Sequence, residues 1–85
     1  MEKTGKVKKG QNCVIVYLAG NQTSVKIFEP SGKLIRHSRT KGAKKIEQFV
    51  DPGEYRVETD GTIERIESVH IDLKAEGDLN QPVNP

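Results

Sequence analysis

Residues 13–19, CVIVYLA, are apolar without a break and rich in β-branched side chains. A helix this short would have poor propensity, so the run predicts a strand buried on both faces. GNQT follows as a turn, and SVKIFE (24–29) then alternates apolar and polar positions. Pairing the two runs as a hairpin sets Leu18 opposite Val25 and Val16 opposite Ile27, with the apolar residues on one face. PSG (30–32) fits a three-residue hairpin loop, with Pro30 at the first turn position and Gly32 at the left-handed one. That register sets Glu29 against Lys33, Phe28 against Leu34 and Ile27 against Ile35. Three strands are thereby expected in a meander.

SRTKGAK (38–44) interrupts the alternation as a loop, and KIEQFV (45–50) resumes it. Asp51-Pro52-Gly53 turns the chain, Pro52 fixing one φ and Gly53 accepting a positive one. Two registers remain open there, Phe49 or Val50 opposite Tyr55. At TDGTI a type II′ turn on Gly61-Thr62 is expected. It opposes Glu58 to Arg65 and Arg56 to Glu67, whereas a type I′ turn sets Arg56 against Arg65. In SVHIDL (68–73), Val69, Ile71 and Leu73 share one parity and Ile66 has the other, which predicts a break near Glu67-Ser68. The charged MEKTGKVKKGQ reads as a mobile basic arm over residues 1–11, with a short edge strand around Val7. KAEGDLNQPVNP has two prolines and no periodicity, so residues 75–85 read as a disordered tail or a linker. The expected fold is all-β: an antiparallel β-sandwich or small barrel of six or seven short strands over residues 12–74, with flexible termini.

VKIFEPSGKLI followed by FVDPGEYRVE resembles the small β-sandwich modules of the carboxypeptidase-regulatory (transthyretin-like) and related immunoglobulin-like classes. The matching residues are Val25, Ile27, Glu29, Gly32 and Lys33, then Val50, Pro52, Gly53, Tyr55 and Val57, within residues 24–59. The resemblance implies a two-sheet accessory module of a surface, secreted or phage structural protein. It carries over no functional residue.

Composition narrows the chemistry. Only 33 % of the 85 residues are apolar and Trp is absent, so a thin core is expected, one that a partner subunit could complete. Cys13 is the one cysteine, which excludes an internal disulfide and reads as a small buried hydrophobe. His37 and His70 are isolated, so no metal motif is expected, and no cofactor fingerprint is present. His70 is expected to point away from the core, whereas His37 could face it beside Val25. The carboxylates alternate along strands as solvated faces do. These features predict no enzyme. No segment approaches the ~20 apolar residues of a membrane span. No signal-type apolar region follows the basic N-terminus, which fits an intracellular protein or one whose leader has been removed. NQT (21–23) matches a glycosylation sequon in a turn, relevant only in a secretory eukaryote.

Charge is lopsided. Residues 1–45 hold eleven Lys/Arg and two Glu, and residues 46–85 hold three Lys/Arg and ten Asp/Glu, so +9 and −7 give the net +2. The sharpest local feature is KLIRHSRTKGAKK (33–45), with Lys33, Arg36, Arg39, Lys41, Lys44 and Lys45 and no acid. These six residues form the candidate polyanion- or partner-binding set. The segment has no aromatic residue for stacking bases, and Tyr17, Phe28, Phe49 and Tyr55 are expected in the core. The favoured reading is a non-enzymatic interaction or assembly module, with a protein partner or self-association into a homo-oligomer, basic face against acidic face. The runner-up is a small nucleic-acid or polyanion-binding domain. The lack of Trp argues against a third reading, a carbohydrate-binding accessory module.

Overall fold

The computed structural model describes residues 1–39 and 41–72. They form seven strands: β1 Glu2–Val7, β2 Cys13–Leu18, β3 Val25–Phe28, β4 Leu34–Ser38, β5 Lys45–Phe49, β6 Gly53–Thr59 and β7 Ile63–Val69. They make two antiparallel sheets, one of order β1-β6-β3-β4 and one of order β5-β2-β7. Val14, Val16, Leu18, Ile46 and Ile63 from the three-stranded sheet meet Val7, Val25, Ile27, Tyr55 and Val57 from the four-stranded one in a single core. Alternation along each strand supplies that core, and burying it between two layers is what makes a two-sheet body stable.

Only β3 and β4 are consecutive strands within one sheet; every other connection crosses from sheet to sheet. The expected meander is therefore corrected. β2 and β3 do not pair, although Leu18, Val16, Val25 and Ile27 all face the core as the alternation requires. The same holds for β5 with β6 and for β6 with β7, so neither register at Pro52-Gly53 forms, and neither does the expected hairpin on Gly61-Thr62 nor its type I′ alternative. A turn and an inter-sheet arch use the same Gly and Pro chemistry, and both keep the inward residues inward. The arch wins because it faces those residues across the core instead of lining them up side by side.

The β3–β4 hairpin does form. Gly32 sits at φ +95° and donates its N–H to Glu29 O at 2.8 Å, while Glu29 donates to Lys33 O at 2.9 Å. Phe28 opposes Leu34 as expected, but the register then shifts and Ile27 opposes Arg36. This bulge at Ile35 sets Ser38, not His37, opposite Val25, and His37 is exposed beside Lys26. The expectation that His37 faces the core is thus corrected.

Residues 2–7, expected within a mobile arm, pair along their whole length with β6, from Glu2 opposite Glu58 to Val7 opposite Gly53. The edge strand foreseen around Val7 extends back to Glu2. In β7 the expected break near Glu67-Ser68 does not occur. The shift falls at Glu64, because Tyr17 opposes Arg65 while Leu18 opposes Ile63. That extra residue brings both Ile63 and Ile66 to the inner side and leaves Val69 on the outer one. The strand ends at Val69. Leu73 and the expected tail 75–85 lie outside the described residues.

Two connections are tied by side chains. Tyr55, buried at the start of β6, donates its hydroxyl to Asp51 O at 2.8 Å. This is the tyrosine-corner arrangement that pins a crossing between sheets. Burial, then Asp51 and Glu29, pushes the phenol's pKa up. At the other end, Asp60 accepts bonds from the Thr23 hydroxyl and from the Thr23 and Ser24 amides. Those donors, the Thr23 hydroxyl foremost, lower its carboxyl from 3.8 to about 2. A depressed folded-state pKa contributes stability that is complete above the unfolded value and lost as pH falls through the folded one. Asp60→Asn is therefore expected to be less stable than the parent above pH 4. The gap should close as pH falls towards 2, in urea melts run across that range. A gap independent of pH would show that the carboxylate charge contributes nothing.

Candidate functional site

The six basic residues of 33–45 do not form one site. Lys33 lies in the β3–β4 turn. Arg39 follows the far end of β4, six residues on, which is about 20 Å at strand rise. Arg36 faces inward at the sandwich edge and donates to Glu47 O at 2.9 Å and Gln48 Oε1 at 3.1 Å. It straps β4 of one sheet to β5 of the other. Lys45 opens β5 and lies 3.8 Å from Glu47.

Arg39, Lys41 and Lys44 share the β4–β5 loop, which is knit to the β2–β3 loop. Gly42 donates to Gln22 O at 3.1 Å, and the buried Gln22 side chain donates to Ala43 O at 2.9 Å. Thr62 donates to Asn21 Oδ1 from the β6–β7 loop. A Cβ on Gly61 would stand 2.6 Å from that oxygen and 2.9 Å from the Gln22 backbone, so glycine is what lets the loops touch. A shallow concavity beside this cluster is lined by Thr23, Ser24, Lys26, His37 and Arg39. It gathers Lys26 and His37, which lie outside the candidate set, with one member of it.

The two halves of the charge distribution interleave in space. Acidic β6 lies between β1 and β3, with Lys6 opposite Glu54 and Lys26 opposite Glu58. On this outer face Arg56 pairs with Glu58 and Glu2 and lies 4.1 Å from the centre of the Phe28 ring. The picture of one basic and one acidic face is corrected: strand order mixes what the linear sequence separates.

The outer face of the three-stranded sheet is organised differently. Val14, Val16 and Leu18 of central strand β2 point into the core, so Cys13, Ile15 and Tyr17 point out. The register sets three rows across it. Cys13 stands between Phe49 and Val69, Ile15 between Glu47 and Glu67, and Tyr17 between Lys45 and Arg65. The rows are thus apolar, acidic and basic, with an apolar residue at the centre of each. Arg65 lies 3.9 Å from the centre of the Tyr17 ring and bonds Glu67 at 2.8 Å. That bond holds the Glu67 carboxyl below its ordinary range. Cys13 is fully buried and its thiol is pushed up by burial. Phe49 is 47 % exposed, and Asn12, Val50 and Asp51 line a shallow depression beside it.

Of the four aromatics expected in the core, only Tyr55 belongs to it. The signal that would have separated them is parity. Ile46 faces in, so Phe49 at an odd offset faces out, and the same count from Ile27 and Val16 sends Phe28 and Tyr17 out. Among the described residues, no group of three or more His, Cys, Asp or Glu could hold a metal ion. No helix among them is long and apolar enough to cross a membrane. No protein-family model, curated protein or solved structure matches the chain.

Proposed function

We propose that this chain is a non-enzymatic β-sandwich module for interaction and assembly, docking through the outer face of its three-stranded sheet. One observation carries the reading. On the outer face of the three-stranded sheet Cys13 and Ile15 are buried and Tyr17 is partly so, but Phe49, beside Cys13, is 47 % exposed, and the described residues form two layers, so this ring and the charged rows next to it are what the face offers a partner. A continuous apolar strand is the pattern of a sheet covered on both sides. An apolar centre with charged flanks is also the composition of a docking patch. We propose further that the module is of the transthyretin-like or immunoglobulin-like kind, a structural piece of a phage, surface or secreted protein. The two antiparallel sheets and the tyrosine corner at Tyr55 support that resemblance.

Phe49→Asp is the test. With the immobilised chain as bait in a lysate of its source, retained proteins are expected to be lost on Phe49→Asp while circular dichroism stays unchanged. Equal retention by both forms would remove this face from the reading.

The concavity of Lys26, His37 and Arg39 favours a second reading, polyanion binding, with Lys41 and Lys44 in the same β4–β5 loop as Arg39. Retention on heparin that falls when Arg39, Lys41 and Lys44 become Ala would support it. Passage through heparin unretained at low salt would exclude it.

A further inference from the structure

We propose that the occupant of this face is a second copy of the chain, stacked sheet on sheet with its strands antiparallel to those of the first. The inference rests on the docking face proposed above and names its partner. The three rows carry it. A two-fold axis lying between the sheets, perpendicular to the strands and passing between the Ile15 and Tyr17 levels, exchanges those two levels. Glu47 and Glu67 of one copy then lie over the partner's Lys45 and the partner's Arg65, and the reverse pairs form at the same time. At the centre, the partly exposed Tyr17 lies over the level of the partner's Ile15, which is itself buried. The bulky row of Phe49, Cys13 and Val69 passes over the strand end beyond Tyr17, where Ala19, bonded to Thr62 O, adds only a methyl group.

The other isologous stacking, with the axis along the strands, sets Glu47 on Glu67 and Lys45 on Arg65. Like charges held face to face disfavour it. The alternation of acidic and basic rows thus selects one orientation, whereas a foreign partner would need to carry the same two rows in the opposite order. All four charged side chains are between 42 and 56 % exposed, so they can change partners without unfolding the sheet.

Three strands about 4.8 Å apart and roughly 17 Å long present on the order of 300 Å² to a partner. A standard interface buries about 800 Å² a side, so the dimer is weak, concentration-dependent and salt-sensitive.

Sedimentation equilibrium on the purified chain tests the proposal. The wild type is expected to dimerise reversibly at high concentration in low salt and to dissociate as salt is raised. K45E/R65E and E47K/E67K each place like charges across the axis, and each is expected to raise the dissociation constant at least about tenfold. Mixed one to one, the two variants are complementary and should recover a dimer as tight as the wild type. Circular dichroism of each variant checks that the fold persists. A wild type that stays monomeric at millimolar concentration in low salt overturns the inference, as does a mixture that fails to associate. Neither result touches a Phe49-dependent capture of another protein, so failure of the second-copy inference is distinguishable from failure of the docking face.

Discussion

Ile27→Ala is expected to lower the unfolding free energy by about 2–5 kcal/mol, the range for truncating a fully buried aliphatic side chain. For a domain of this size each kcal/mol is worth about 4–8 °C, so the thermal midpoint should fall by at least about 8 °C. Ile27 is fully buried at the centre of the core, between Val57 on one side and the β4 edge on the other. The substitution removes a methylene and two methyl groups from a place with no solvent to fill the gap. A thin core has little capacity to relax around the cavity, and total stability in small domains is only about 5–15 kcal/mol. Ile27→Val keeps most of the volume and should cost about 0.5–1.5 kcal/mol. Chemical denaturation of the two variants gives the comparison. A loss below about 1 kcal/mol for Ile27→Ala would mean that the two sheets do not close over this residue.

Gly5→Ala is expected to cost about 1–3 kcal/mol, from overpacking where β1 crosses β7. A Cβ built on Gly5 stands 2.4 Å from Ile66 Cγ2 and 3.1 Å from its Cβ. The first is a branch methyl held by the second, so it cannot swing away as the tip of a long chain would. Backbone freedom is not at issue, because Gly5 has no positive φ. What glycine supplies is the absence of a side chain between the two sheets. Trimming the other side should relieve the clash. Gly5→Ala combined with Ile66→Ala should therefore lose less than the sum of the two single changes, with a coupling of about 0.5–3 kcal/mol. Strict additivity in denaturant unfolding would refute the close approach.

These two residues also separate what could be read from the chain. The inward position of Ile27 follows from alternation in SVKIFE, a local property. Gly5 lies in a run of lysines and threonine, and nothing near it in sequence signals Ile66, sixty-one residues away. The candidate site divides in the same manner. The charges of 33–45 were legible as a cluster, yet a bulge at Ile35 turns Arg36 into an inter-sheet strap, and the length of β4 carries Lys33 away from Arg39. The outward direction of Phe49 and Tyr17 was available from parity. Their meeting in ordered rows with Glu67 and Arg65 was not, because β2 lies between β5 and β7, strands far apart in the chain.

The sequence by itself determined that the chain is built of short antiparallel strands, where six of the seven lie, and which side chains of most strands turn inward. Each depends on period-two alternation and on Gly and Pro at chain reversals, which act over a few residues. Only the tertiary structure decided which strands share a sheet. Side-by-side pairing and face-to-face packing bury the same inward residues and use the same turns, so local chemistry is indifferent between them. The choice falls to the core as a whole, where two layers seal the valines and isoleucines from water more completely than a single meander can.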